Sequence, residues 1–289
     1  MRPKGRPSRH QREAKKKAPK TKTRSAPNFD SKIKGSFQSD LNDEFSLIAK
    51  PRRKRKNKAK SKRKGGGFFR FVFRLIIFIC VVSALPMFVL RYFDPPTSAF
   101  IELNKHNHNT NIQHAWVEFE DISLYFPNAI IASEDQDFPN HYGLDLKQIR
   151  SALEESKDGQ PRGASTITQQ TVKNLFLWPG RSYLRKGIEA WLALWMDLIV
   201  PKKRILELYM NFAQFGRSVF GVGAASQFYF QITPDQLTPE QSALISAALP
   251  TPSRSNPAQP SKYLNERATF ILDQMPRIGG RRMVRELAN

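Results

Sequence analysis

From Leu75 to Leu90 the chain carries no charged residue, and the apolar run extends from Phe68 to Phe93, broken near its start by Arg70 and Arg74. A helix of about 20 apolar residues crosses a bilayer, and Arg74 can snorkel to the headgroups so that Phe71–Phe73 lengthen the span. The cluster Arg52–Lys64 lies directly before it, which keeps the N-terminal side cytoplasmic by the positive-inside rule. This run divides the chain into parts that cannot share one core: a tail (1–66), a membrane anchor (67–93), a connector (94–118) and an extracytoplasmic domain (119–289). Cleavage after the small residues Val82-Ser83-Ala84 would need a basic leader several times the usual length, so a retained single-pass anchor is expected. Cys80, the one cysteine, falls inside the span as a lipid-facing apolar residue, which leaves the outer domain without a disulfide or thiolate site.

The tail holds 24 Lys and Arg against five Asp and Glu in residues 1–65, or +19 of the chain's +22. So dense a charge run cannot bury enough apolar surface to order itself, and disorder is expected. Its three aromatics, Phe29, Phe37 and Phe45, are too few for base stacking. Anionic lipid headgroups, each worth about 1 kcal/mol per basic residue near the surface, are a better-matched partner than nucleic acid.

Two polar blocks carry the chemistry of the outer domain. The first is Glu134-Asp135-Gln136-Asp137-Phe138-Pro139-Asn140-His141-Tyr142-Gly143; the second runs from Gly163 through Ser165, Thr166, Gln169, Gln170 and Lys173 to Asn174. Hydroxyls and amides in such density suit the gripping of a polar, anionic ligand, and the acidic pair supplies candidate acid/base groups. Asp135, or an apolar wall that includes Phe138, would raise the pKa of Glu134 toward working pH. Arg181, Arg185 and Lys186 follow within a short window, and with Lys173 they would meet developing negative charge. Arg185 and Glu189 stand at i and i+4, so a plain helical ion pair is the competing reading. His106, His108 and His114 have no acidic or Cys partner at ligand spacing and read as a solvated loop.

The blocks Glu-Asp-x-x-Phe-x-x-His-x-Gly and Gly-Ala-Ser-Thr-Ile-Thr-Gln-Gln-x-x-Lys-Asn resemble the first two motifs of the peptidoglycan glycosyltransferases, glycosyltransferase family 51. Arg185-Lys186-x-x-Glu189, Lys203–Asn211 and Gly221-Val222-Gly223-Ala224-Ala225 with Tyr229-Phe230 are similar to the third, fourth and fifth, in family order. The resemblance implies a lysozyme-like all-α fold and inverting polymerisation of lipid II, a lipid-pyrophosphate-linked disaccharide-peptide, onto a growing β-1,4 glycan strand at the bacterial inner membrane. It implies Glu134 as general base and Glu189 as a second essential carboxylate, polarising the leaving group or holding a divalent cation (Mg or Mn) beside the pyrophosphate. Asp135, Phe138, His141, Ser165, Thr166, Gln169, Gln170, Lys173, Asn174, Arg181, Arg185 and Lys186 would form the surrounding substrate site, with His141 orienting the Glu134 loop. Other cell-wall synthesis proteins are expected as partners. Asp197, where the family often has Glu, Phe220 and Gln231-Ile232 depart from the family pattern. Ser31–Lys34 and Ser61–Lys64 match Ser-x-x-Lys only formally; both lie in the basic tail, so no transpeptidase domain is expected. The rival readings are a lysozyme-like lytic glycosidase and a membrane-tethered binder acting through the tail.

The remaining pattern is helical. Leu184, Ile188, Trp191, Leu192, Trp195, Leu198 and Ile199 recur at three- and four-residue spacing, the pattern of a well-buried helix that Pro201 ends. Pro127-Asn128 opens a helix that brings Glu134 to its end, Lys203–Asn211 starts another, and Thr238-Pro239-Glu240-Gln241 spells a capping box with Pro at the first helical position.

Overall fold

A computed structural model describes residues 65–108, 111–155, 165–180 and 182–288 of the chain. The basic tail through residue 64, with its expected disorder, and Arg181 lie outside the described residues.

The apolar run forms one continuous helix, α1 (Gly65–Tyr92), about 42 Å long at 1.5 Å per residue. Its mean hydropathy reaches 2.5, and only 11% of that window is buried within the protein. Phe71, Phe73, Phe78, Val82 and Leu85 all point outward. A helix of this length with so apolar an exposed surface is compatible with a single-pass membrane anchor.

Pro95-Pro96 stop this helix, but the connector is not the loop its polar composition implied. Ser98 opens α2 (Ala99–His108): its hydroxyl accepts from the Ile101 amide at 3.3 Å and its carbonyl from Glu102. Ser98 and Ile101 are buried, and α2 packs on the helix Ile167–Phe176. An N-cap with one buried anchor outweighs the polar His and Asn residues at the far end.

After β1 (Gln113–His114) and a single 3₁₀ turn at Phe119–Asp121 comes α3 (Tyr125–Glu134), the centre of the domain. It starts two residues before Pro127, which therefore sits in the first turn, where a missing N–H has no partner to lose. Residues 126–132 are all buried, because the helix is covered on every side. Ile130, Ile131 and Phe126 face the main core with Phe138, Ile167, Tyr209, Phe212 and Phe215. Ala129 and Ala132 meet Ala243, Ala247 and Ala268, small side chains that let helices approach closely. Each fully buried Phe or Ile contributes about 1.5–3 kcal/mol.

Around α3 lie α4 (Leu146–Glu155), α5 (Ile167–Phe176), α6 (Tyr183–Ile199), α7 (Lys202–Phe212), α8 (Gly221–Phe230), α9 (Pro239–Ala247), α10 (Lys262–Arg277) and α11 (Gly280–Ala288). The expected capping box of α9 forms, with Thr238 and Gln241 bonded reciprocally. The sheet is minimal: β1 pairs in parallel with β2 (Val219–Phe220) through Gln113↔Val219 and His114↔Phe220. Gly221 then turns into α8 at φ 80°, where a Cβ would lie 2.6 Å from the Asn211 carbonyl oxygen. Only glycine satisfies both conditions.

The anchor packs against α6. Trp191 Nε1 donates to Ser83 Oγ at 2.9 Å, and Arg91 donates to the Ile199 carbonyl at 2.8 Å. Both pairs are 108 residues apart, so the two helices run in the same direction there. The domain accompanies its anchor over eight residues, about 12 Å of helix.

Candidate active site

The C-terminal end of α3 delivers Glu134 to a cavity of about 700 Å³, lined also by Ser133, Ser165, Gln170, Lys173, Arg185, Lys186, Glu189, Leu249, Pro250 and Arg267. Glu134 Oε2 accepts from Gln170 Nε2 at 2.8 Å. Gln170 is itself oriented, since its Oε1 accepts from the fully buried Tyr209 hydroxyl at 3.2 Å. The other carboxylate oxygen is loosely held, 3.4 Å from the Ser133 hydroxyl and 3.6 Å from the Arg267 guanidinium. Burial raises the Glu134 pKa above the ordinary 4.5; the Gln170 hydrogen bond and the Arg267 and Lys173 charges oppose that rise. The result is a carboxylate with one weakly held oxygen and a basicity above that of a surface Glu.

One turn past Gln170 on α5, Lys173 is held below its usual 10.5, chiefly by desolvation, which Glu189 and Glu134 counter. Its ammonium also lies 5.4 Å from the centre of the Phe100 ring of α2, within cation–π range. On α6, Arg185 donates to Glu189 Oε2 at 2.6 Å and Lys186 to Glu189 Oε1 at 2.5 Å. Lys186 also donates to Ser165 Oγ at 2.7 Å, and Arg185 Nε to the Gly180 carbonyl at 2.9 Å. The expected Arg185–Glu189 ion pair thus exists, and it lines the cavity. Two carboxylates there face four cations, Lys173, Arg185, Lys186 and Arg267. The excess is two positive charges, matched to a dianionic ligand.

Asp135, Phe138, His141, Thr166, Gln169 and Asn174, all expected in the substrate site, are buried and do not line the cavity. Glu134 and Asp135 part company because α3 ends between them: Asp135 is the C-cap, at φ −162°. Its carboxylate turns into the protein, paired with His141 Nε2 at 2.9 Å and accepting from the Ile167 amide at 2.9 Å. It sits at the positive N-terminal end of α5. Asp135 is not what raises the Glu134 pKa; burial is.

Thr166 and Gln169 form the capping box of α5, and the Thr166 hydroxyl donates to the Gly143 carbonyl at 2.6 Å. Phe138 packs under Lys202, 4.5 Å from its ring centre. Lys202 donates to the His141 carbonyl and to Asp197 Oδ2, both at 2.7 Å. Asp197 Oδ2 also accepts from the Gly143 amide at 2.7 Å and from the Thr168 hydroxyl, so the shorter acid at this position ties three elements through one oxygen. Gly143 takes φ 71° with no room for a Cβ, which would meet the Ala193 carbonyl oxygen at 2.6 Å.

Ser133, Leu249, Pro250 and Arg267 were not anticipated. Arg267 flanks the stripe Leu264, Ala268, Ile271 and Met275 that α10 buries, a signal that places it at the edge of the core without revealing which carboxylate it meets. Among the described residues, no three His, Cys, Asp or Glu gather as metal ligands.

A family model described as Transglycosylase matches residues 102–276. The chain belongs to the transglycosylase family. It is 43% identical over 206 residues to a biosynthetic peptidoglycan transglycosylase of Marinomonas sp. (strain MWYL1), covering 71% of this chain and 88% of that protein. A protein of the same name from Shewanella oneidensis is 42% identical over 215 residues, 73% of this chain and 92% of the relative. One from Xylella fastidiosa is 40% identical over 213 residues, 71% and 88% of the two chains. All the cavity-lining residues fall inside the matched span. Phe100 and the anchor α1 lie before it.

Proposed function

We propose that this transglycosylase polymerises peptidoglycan strands from lipid II. The observation that carries the reading is Glu134: a carboxylate of raised pKa with one weakly held oxygen, opening on a cavity with two excess positive charges. Glu134 takes the proton of the acceptor 4-hydroxyl as that oxygen bonds to C1 of the donor sugar. The C1–O bond to the pyrophosphate breaks, the electron pair leaves with the phosphate, and an α-linked donor becomes a β-1,4 linkage in one inverting step. Lys173, Arg185 and Lys186 receive the charge that develops on the leaving group, with Arg181 as a further expected contact. Glu189 arrays Arg185 and Lys186 by taking one cation on each oxygen.

That pairing bears on the expected divalent cation. Both Glu189 oxygens are already bonded to cations, and among the described residues no group of three His, Cys, Asp or Glu gathers around it as ligands. The donor set does not fit a protein-held Mg or Mn, and the pyrophosphate is matched by nitrogen cations instead.

Membrane attachment follows from α1. The exposed Leu194 and Leu198 of α6 sit on the helix that accompanies α1, which supports a site opening close to the bilayer where a polyprenyl-anchored substrate resides. With the Arg52–Lys64 cluster preceding α1, the reading places the tail in the cytoplasm and the cavity outside the inner membrane.

The test is glycan synthesis from purified lipid II by the full chain, wild type beside Glu134→Gln. Polymer from the first and none from the second is expected. Equal activity removes Glu134 from the mechanism, and release of fragments from cell-wall sacculi instead of polymer would favour the lytic reading.

A further inference from the structure

The fourth motif contains an arginine that the reaction does not use. Arg204, in the first turn of α7, reaches the end of the anchor. Its Nε donates to the Leu90 carbonyl and one terminal nitrogen to the Phe93 carbonyl, each at 2.9 Å. The same nitrogen pairs with Asp94 at 2.6 Å, and the other holds Glu207 at 2.7 Å. Its plane lies 5.2 Å from the Trp116 ring. Leu90 is buried, and its carbonyl belongs to the last turn of α1, whose final carbonyls have no partner within the helix.

The contact is reciprocated. Arg91 of the anchor donates to the carbonyl of Ile199, the final residue of α6. Two helices that run side by side thus end at the same level, each with its negative C-terminal end met by an arginine from outside itself. A single arginine on an exposed carbonyl is ordinary surface chemistry. Two in opposite senses, one of them fivefold engaged, make a joint that sets both translation along the anchor and tilt about it. From Arg204 the joint continues inward. Glu207 accepts from the Phe119 amide at 2.7 Å, on the turn that leads into α3 and so to Glu134.

We propose that Arg204 and Arg91 are positioning residues that fix the height of the cavity above the bilayer, and with it the delivery of a membrane-resident substrate. The inference rests on the lipid-pyrophosphate reading above and adds a dependence on the substrate's physical state. A cavity displaced along its anchor still binds a dissolved substrate but misses one whose tail is held in the membrane, and small misplacements of reacting groups cost about a hundredfold.

The experiment uses the full chain in phospholipid vesicles and compares long-chain lipid II in the same bilayer with a short-prenyl, water-soluble analogue. For Arg91→Gln and Arg204→Gln the rate on bilayer substrate is expected to fall about tenfold or more, through kcat/KM, while the soluble analogue changes by no more than about twofold. The double variant should be little worse than the poorer single, because both residues serve one joint. Arg204→Lys should restore only part, as an ammonium cannot span the Leu90 and Phe93 carbonyls and two carboxylates. Arg204→Gln also leaves Glu207 without its cation. The exposed Arg91 therefore carries the test if that variant unfolds. Equal losses on both substrates would make these arginines merely structural, and unchanged bilayer activity would remove the joint; either overturns the proposal. A wild type that polymerised neither substrate would overturn the function reading, and this inference with it.

Discussion

Glu134 and Asp135 are neighbours in the chain and opposites in the structure. Asp135 has its carboxylate committed to His141 and to the first turn of α5. It belongs to a buried lattice that ties α3, α5, α6 and α7 together through Gly143, Asp197 and Lys202. Glu134 opens on the cavity with one oxygen bonded and the other held at a distance by Arg267. A carboxylate that is completely paired holds a structure together, and one left partly paired has reactivity to spare. The lattice keeps the second kind in place, since the end of α3 cannot move without breaking the first.

Breaking the open half of this pair should give the largest effect. Glu134→Gln is expected to lower polymerisation at least about a thousandfold. It should also raise the melting temperature at neutral pH. Burial lifts the folded-state pKa of Glu134 above 4.5, so the stabilising contribution of the protonated acid is present at low pH and lost as pH rises through that value. The gain should disappear near pH 4, as paired thermal melts would reveal; a lower melting temperature at pH 7.5 would contradict this account of its environment.

Breaking the closed half acts on stability first. Asp135→Ala strands His141 and the Ile167 amide, and should cost about 3–5 kcal/mol in urea unfolding, with activity lost in parallel. Arg267→Gln sharpens the contrast more gently. Without that cation the Glu134 pKa climbs further, so the acid limb of the kcat/KM profile moves to higher pH and the deficit deepens as pH falls. A uniform loss at every pH would argue against a charge effect.

The two capping boxes provide the smallest contrast. Thr166→Ala should cost about 2 kcal/mol and some activity, because its hydroxyl also bonds Gly143, whereas Thr238→Ala should cost about 1 kcal/mol and leave catalysis alone.

The same contrast explains what was legible in the sequence. Thr238-Pro239-Glu240-Gln241 declares its helix start because the capping groups lie within four residues. Leu184 to Ile199 declares its helix by spacing but not its burial, since Leu184 and Leu198 are exposed and α6 buries Arg185, Glu189, Ala193 and Met196 instead, and the charge-free run declares the anchor. Lys173, Arg185, Lys186 and Glu189 could be gathered because two adjacent blocks carry them. The division of labour between Glu134 and Asp135 could not, since it turns on a helix ending between them. Arg267 could not either, lying 133 positions from its carboxylate, and the Ser98 cap was masked by the polar residues that follow it. Local chemistry is written locally; pairings across the fold depend on how the helices are stacked.

The Trp191–Ser83 hydrogen bond has a practical consequence. Of four tryptophans, Trp191 alone bonds the anchor through its indole nitrogen, with Trp195 set edge-on at 5.9 Å. With the other three tryptophans replaced by phenylalanine, its emission colour gauges whether anchor and enzyme are seated together, readable without any added label.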